Sequence, residues 1–195
     1  AGEPLDCAAV PGLRLRALGP AELAPAAALL GAALVWDRVE VVAAEKLFGG
    51  NGRRSGQALG AFTDAGELVG VLAYAGRFIK LLAVRPDAQR RGIGTALLAA
   101  ARARIHAGAA GPPPRLRIGD HPGNYLSPGV DERYQAGHAF FRARGLAEVA
   151  RCLNLRAPVR DNPLCTKERA QRLHAAAAAH GYTLQRARAE DVAGL

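Results

Sequence analysis

The stretch Leu81-Leu-Ala-Val-Arg-Pro-Asp-Ala-Gln-Arg-Arg-Gly-Ile-Gly-Thr-Ala-Leu97 reads as a strand that runs through a glycine-containing loop directly into a helix. The apolar run Leu81–Val84 is stopped by Pro86, and the helical repeat begins after Gly92. Such a junction is suited to an anion, above all a diphosphate. The first-turn amides, from about Arg91 to Thr95, have no intrahelical acceptor, the helix dipole favours negative charge there, and Gly92 and Gly94 let a ligand approach the backbone closely. Arg90 and Arg91 add positive charge beside it.

Outward from this junction the chain alternates between the two kinds of periodicity. Gly12–Leu18 alternates as a strand, Glu22–Leu34 carries a helical repeat entered through Pro20, and Asp37–Phe48 is a second helical stretch that stops at Gly49-Gly-Asn-Gly52. Gln57–Thr63 and Glu67–Ala75 flank Asp64-Ala-Gly66 as a hairpin, and Phe78–Val84 is the strand that leads into the junction. The helix from Arg91 to His106 places Leu97, Leu98, Ala101 and Ile105 on one face, and Gly111-Pro-Pro-Pro114 follows as a rigid connection. Arg115–Ile118 is a short strand, Gly119–Asp131 a loop, Arg133–Arg144 a helix closed by Gly145, and Leu146–Leu155 two short strand-like pieces. The predicted order is β-α-α-β-β-β-α-β-α-β-β.

Gln89-Arg-Arg-Gly92-Ile-Gly94, with Leu82-Ala-Val84 and Pro86 before it, resembles motif A of the GNAT superfamily of acyl-CoA-dependent N-acyltransferases. Ala139-Phe-Phe-Arg-Ala-Arg-Gly-Leu146 is similar to the late Phe-Tyr-x-x-x-Gly-Phe segment of that family, and the element order agrees over residues 12–157. The resemblance implies an α/β fold, a central mixed sheet flanked by helices and splayed between two parallel strands, with acetyl-CoA as co-substrate lying in the opening. It implies that the backbone of Leu82, Ala83 and Val84 pairs with the pantetheine arm and polarises the thioester carbonyl. It also implies that Arg90, Arg91, Gly92, Ile93, Gly94 and Thr95 hold the pyrophosphate, with Gln89 among the cofactor-binding residues. The acceptor is then an amine, on a small molecule or a peptide.

Three positions where the family often carries polar residues are filled differently. Phe141 stands at the place of a Tyr that serves as general acid, Tyr134 at that of an Asn, and Phe78 at about that of a Glu. The chain offers substitutes in Gly119-Asp-His-Pro-Gly-Asn-Tyr-Leu-Ser-Pro-Gly-Val-Asp131, which resembles a Tyr-x-x-Pro-Gly-Val segment of some tandem GNAT proteins. Here His121 is a candidate base, and Tyr125 or Tyr134 a candidate proton donor to the thiolate. Asp120, His121, Tyr125 and Asp131 could together form a polar wall, although Asp120 and Asn124 are equally the residue types that shape turns. The alternative is a catalytically degenerate module that binds acyl-CoA as a sensor or structural ligand.

A chain of 195 residues, half of them hydrophobic and 22% charged, fits one folded domain rather than a disordered chain. The boundaries suggested are residues 12–157 for the acyl-CoA-binding domain, 158–180 for a linker and an Ala-rich helix opening at Asp161-Asn-Pro163, and 181–195 for the start of a second repeat. That last reading rests on the likeness of Gly181–Val192 to Gly12–Leu23. The apolar stretch Leu23–Trp36 is too short to span a bilayer. No basic-then-apolar pattern opens the sequence, which fits a cytoplasmic protein without membrane contact. Cys7, Cys152 and Cys165 have no metal-ligand spacing, and no metal is expected. The net charge of +9 is carried almost wholly by scattered arginines, a pattern that favours a small anionic ligand over nucleic acid. The pattern leaves a homodimer open.

Overall fold

In the computed structural model, which describes residues 10–49, 55–121, 129–153, 158, 160–186 and 188, five strands form one mixed sheet in the order β1-β2-β3-β4-β5. They are β1 (Leu13–Ala17), β2 (Gln57–Thr63), β3 (Leu68–Ala75), β4 (Phe78–Val84) and β5 (Arg117–Ile118). The first four pair antiparallel, and the short turns after β2 and β3 allow this. β3 is buried along almost its whole length, which its uninterrupted small and apolar sequence, Val69-Gly-Val-Leu-Ala-Tyr-Ala75, permits.

Helices cover both faces. α1 (Leu23–Ala33) and α2 (Ala43–Phe48) close one face over Leu18, Phe62, Val71, Ala73, Leu81 and Ala83. α3 (Ile93–Ala107) closes the other, setting Ile93, Leu97, Leu98, Ala101 and Ile105 against Leu59, Leu72 and Ile79. Leu97 is fully buried, a contribution of about 1.5–3 kcal/mol for a side chain of that size. α4 (Gln135–Arg142) adds Phe140 to the α3 side.

Two irregularities in β4 create the site. Ala73 faces Leu81 while Tyr74 faces Ile79, so Lys80 is an extra residue that bulges from the ladder. β5 then pairs with β4 in parallel only at Phe78↔Arg117 and Ile79↔Ile118, with Gly119 N donating to Ile79 O at 3.2 Å. Beyond that point β4 keeps β3 on one edge as far as Val84, while its β5-facing edge has no strand partner among the described residues. The sheet therefore opens between these two parallel strands, as expected from the family resemblance.

Several elements differ from the sequence reading. Asp37–Phe48 is a 3-10 turn at Val39–Val42 followed by α2 rather than one helix. The last strand shortens to Arg117–Ile118, since only those residues find a β4 partner. The two strand-like pieces expected in Leu146–Leu155 form no strand over the described residues 146–153, where Val149 and Leu153 lie exposed, and residues 154–155 lie outside the described residues. A strand exists only where a neighbouring edge accepts its hydrogen bonds, and none does so here. The chain divides into two compact units, Ala1–Cys152 and Leu153–Leu195. In the second unit α5 (Lys167–Ala179) starts later than Asp161-Asn-Pro163 predicts. Asn162 Oδ1 accepts the Leu164 amide at 2.8 Å in a turn, and the cap is Thr166, whose hydroxyl accepts the Arg169 amide at 3.2 Å. No strand forms over residues 181–186, and the rest of the proposed repeat, apart from Arg188, lies outside the described residues.

Candidate functional site

On the α3 side of the opening the site is made of backbone. Arg85 N donates to Val69 O at 2.9 Å, so Arg85 faces β3; by the alternation of a ladder, Leu82 and Val84 turn their amides and carbonyls toward the gap left by β5. The Gln89 side chain donates to Val84 O at 3.1 Å and so ties the loop to the end of the strand. The chain then passes through two left-handed residues, Arg90 (φ 62°) and Gly92 (φ 82°), before α3 starts. The first helical bond there is Ala96 N to Gly92 O at 3.0 Å, which leaves the amides of Ile93, Gly94 and Thr95 without helical acceptors. Gly94 has a packing reason as well, since a Cβ there would lie 3.2 Å from Phe140 Cε2. Among the sequence-predicted positions Arg90, Arg91, Gly92 and Thr95 are exposed at this junction, while Ile93 is buried beneath it.

A further cation stands beside this junction. Arg144 stacks over the Phe140 ring, with its guanidinium carbon 3.8 Å from the centroid, donates to Phe140 O at 3.0 Å, and hydrogen-bonds Thr95 Oγ1 in the first turn of α3. In the sequence Arg144 stands out only as part of the late Phe-Phe-x-x-x-Gly segment. Its spacing of four from Phe140 on a helical stretch is the signal that the two side chains meet.

On the α2 side the opening is lined by side chains. Lys80, at the bulge, reaches across to α2 and donates from Nζ to Glu45 O at 2.9 Å and Gly49 O at 2.6 Å. Burial and the nearby Lys46 charge lower its pKa to about 8. Lys46 is only 6% exposed, and burial lowers its pKa too. His121 follows β5 and is 3% exposed, its ring edge-to-face with Phe78 at 5.7 Å between centroids. Neither of its ring nitrogens has a hydrogen-bond partner. Burial, with the charges of Lys80 and Lys46, holds its pKa below the ordinary value, so it is neutral at pH 7. Phe78, where the family often has a carboxylate, is thus the surface on which His121 rests.

Tyr134, at the start of α4, accepts a hydrogen bond from the Trp36 amide at 2.9 Å, joining α4 to the connection between α1 and α2. Burial, and the neighbouring Asp37 carboxylate, raise its pKa and keep it protonated. Asp120 pairs with Arg117 and keeps one buried oxygen without a partner, whereas Asp131 forms a two-pronged pair with Arg133. That pair holds the Asp131 pKa at about 2, and Arg133 also stacks on Trp36. The anticipated polar wall is therefore distributed over separate contacts: His121 with Phe78, Asp120 with Arg117, Asp131 with Arg133. Tyr125 lies outside the described residues. Phe141 packs edge-to-face on Phe140 at 5.3 Å and has no proton to give. Sequence reading missed Lys46, Lys80 and Asp37. Lys80 had one signal, as the only charged residue of an otherwise apolar strand. Among the described residues no cluster of His, Cys, Asp and Glu could hold a metal ion, and no helix is long and apolar enough to cross a membrane.

Residues 54–145 match the family model described as the acetyltransferase (GNAT) domain. No curated protein sequence matches the chain significantly. Among solved structures, the GCN5-related glucosamine N-acetyltransferase region of a fungal multi-domain β-N-acetylglucosaminidase superposes with a TM-score of 0.56 at 21% identity, over 68% of this chain and 17% of that one. The chain therefore spans under a fifth of that protein's length. The aminoglycoside 6′-N-acetyltransferase of Acinetobacter baumannii gives a TM-score of 0.52 at 18% identity, covering 75% of this chain and 99% of that one. The ribosomal-protein-S18-alanine N-acetyltransferase of Escherichia coli gives 0.51 at 18% identity, covering 71% and 79%. At these identities the likeness is one of fold.

Proposed function

We propose, for a chain whose residues 54–145 match the acetyltransferase (GNAT) domain model, that it transfers an acetyl group from acetyl-CoA to an amine on a small molecule or a peptide. The observation that carries this reading is the unpaired β4 edge from Leu82 to Val84 running into the left-handed turn at the start of α3. An open strand edge suits an amide-bearing arm, and three unbonded first-turn amides flanked by Arg90, Arg91 and Arg144 suit a diphosphate. Acetyl-CoA supplies the activated acetyl thioester when bound. The Leu82 amide then points into the gap, where it can stabilise an oxyanion.

The opening also supports one route for the amine. The α3 side is taken by the donor cradle and by the core beneath it, so the acceptor enters from the α2 side. There His121, neutral and with both ring nitrogens unbonded, takes the proton released as the new C–N bond forms. Tyr134, kept protonated, returns a proton to the departing thiolate as the C–S bond breaks. The reaction so assigned takes place in the cytoplasm. Calorimetric titration with acetyl-CoA, followed by thiol release over a panel of amines, tests it: binding with turnover is expected, and absence of CoA binding would overturn it.

A further inference from the structure

The proposed reaction leaves Lys46 and Lys80 without a role. Lysine is seldom buried without a carboxylate partner, yet neither ammonium forms a salt bridge among the described residues. Lys80 is held by two backbone carbonyls at 2.9 and 2.6 Å. Lys46, 6% exposed, has no hydrogen bond among the described residues. The carboxylates that act on them, Glu45 on both lysines and Asp37 on Lys46, form no ion pair with either among the described residues. Glu45 is exposed, and Asp37 faces Tyr134 and Arg133 as well as Lys46. Beside them His121 is buried with two unbonded nitrogens, and Asp120 is drawn off by Arg117. The inward side of the α2 mouth therefore holds two ammonium groups without an ion pair and a buried imidazole without a hydrogen bond, near carboxylates that bond to none of them.

We infer that Lys46, Lys80 and His121 form the subsite for an anionic group of the acceptor, so that the amine acetylated by this protein also carries a carboxylate or a phosphate. The inference rests on the acetyltransferase reading above and extends it to substrate class. An anion there accepts from the one N–H of the neutral His121, leaves its other nitrogen for the amine, and relieves the repulsion between the lysines. A polycationic amine meets like charge at the same place. The arrangement thus rejects acceptors of the aminoglycoside type, although the fold resembles that of an aminoglycoside acetyltransferase. A lysine at a strand bulge is well placed to meet such a group, because the extra residue re-aims its side chain out of the ladder and across the opening.

The test uses binding to the complex with CoA, which cannot transfer an acetyl group, alongside turnover with acetyl-CoA. Calorimetry compares three matched sets of primary amines: carboxylate-bearing, phosphate-bearing, and neutral or polycationic. Either anionic set is expected to bind the CoA complex at least about tenfold more tightly than the neutral and polycationic ones, the difference one well-placed charged hydrogen bond makes. The better set identifies the anion. Lys46→Met and Lys80→Met are each expected to reduce that preference about tenfold, and Lys80→Arg to retain most of it. Thermal unfolding and CoA titration of each variant establish that it is folded, and Lys46→Met, which removes no hydrogen bond, decides the matter should Lys80→Met fail to fold. Polycations binding as tightly as anionic amines, no amine binding at all, or a preference unmoved in a folded Lys46→Met protein would each overturn the inference. A protein that binds no CoA overturns the acetyltransferase reading instead, and the amine titrations without CoA still report on the subsite.

Discussion

On its α3 side the β4–β5 opening is lined by backbone: the free edge at Leu82 and Val84, the left-handed Arg90 and Gly92, and the unbonded amides of Ile93, Gly94 and Thr95, with exposed arginines around them. On its α2 side the same opening is lined by side chains from three separate segments, the buried Lys46 on α2, the half-buried Lys80 on β4 and the buried His121 after β5. The first mouth has its hydrogen-bonding groups supplied by secondary structure that forms in any case, so it costs the fold little. The second is built from groups whose burial opposes folding, two lysines and an imidazole with no bonded anion. Stability and function are aligned on one side of the sheet and opposed on the other.

The largest effect expected from breaking this contrast is on the donor side. Gly92 sits at φ 82°, a conformation that β-branched residues resist, and a Cβ on Gly94 meets Phe140 Cε2 at 3.2 Å. Gly92→Val and Gly94→Trp reorient or cover the amides that face the diphosphate. Losing two charge-assisted hydrogen bonds corresponds to a rise of about a thousandfold in the Kd for CoA, read by calorimetry. Unchanged affinity would show that the backbone is not the anion site and would remove the first half of the contrast.

On the acceptor side the signs of the two effects should differ. His121→Leu removes two buried, unbonded nitrogens, so it is expected to stabilise the fold by about 1–3 kcal/mol in denaturant unfolding while lowering kcat about a hundredfold. The pH dependence sharpens this. The folded-state pKa of His121 is lowered, so its neutral form is the one the fold favours. Stability is fully present above the unfolded pKa of about 6.5 and declines as pH falls through it toward the folded value. His121→Leu should lose that part of the decline. A variant that is both less stable and equally active would place His121 in the core rather than in the site.

This contrast also explains what could be read from the sequence. The donor cradle was legible because strand, loop, glycines and helix start are contiguous from Leu81 to Leu97, and backbone geometry follows from local spacing. The parallel opening was legible only through the family resemblance, whereas the positions of α1, α3 and β1 to β4 followed from periodicity. The α2 mouth was not legible, because Lys46, Lys80 and His121 come together only through tertiary packing and through the one-residue bulge at Lys80. No periodicity encodes such a bulge. His121 was identified as a candidate because of its chemistry, whereas its neighbours Lys46 and Lys80 passed as ordinary basic residues. The late strands failed for the complementary reason: apolar residues such as Val149 and Leu153 signal a strand only when an edge is available to receive it, and over residues 146–153 none is.

Tyr134 gives the smallest expected effect and tests whether α4 belongs to the acceptor mouth. Its hydroxyl accepts the Trp36 amide at 2.9 Å and lies by Asp37, which also acts on Lys46. Tyr134→Phe deletes one exposed hydrogen bond, expected to cost about 0.5 kcal/mol in denaturant unfolding. If the hydroxyl also protonates the thiolate, kcat should fall by about tenfold, beyond any change in the KM for the amine. The pH–rate profile should then lose its alkaline limb, because the raised pKa of Tyr134 is what sets where the acid form is exhausted. A stability loss with an unaltered profile would assign Tyr134 to holding α4 against the α1–α2 connection. The protonation of the thiolate would then fall to solvent or to Tyr125. Because Asp37 links the two side chains electrostatically, Lys46→Met and Tyr134→Phe should be non-additive in a double-mutant cycle on the amine KM. Strict additivity would separate α4 from the lysine-lined mouth.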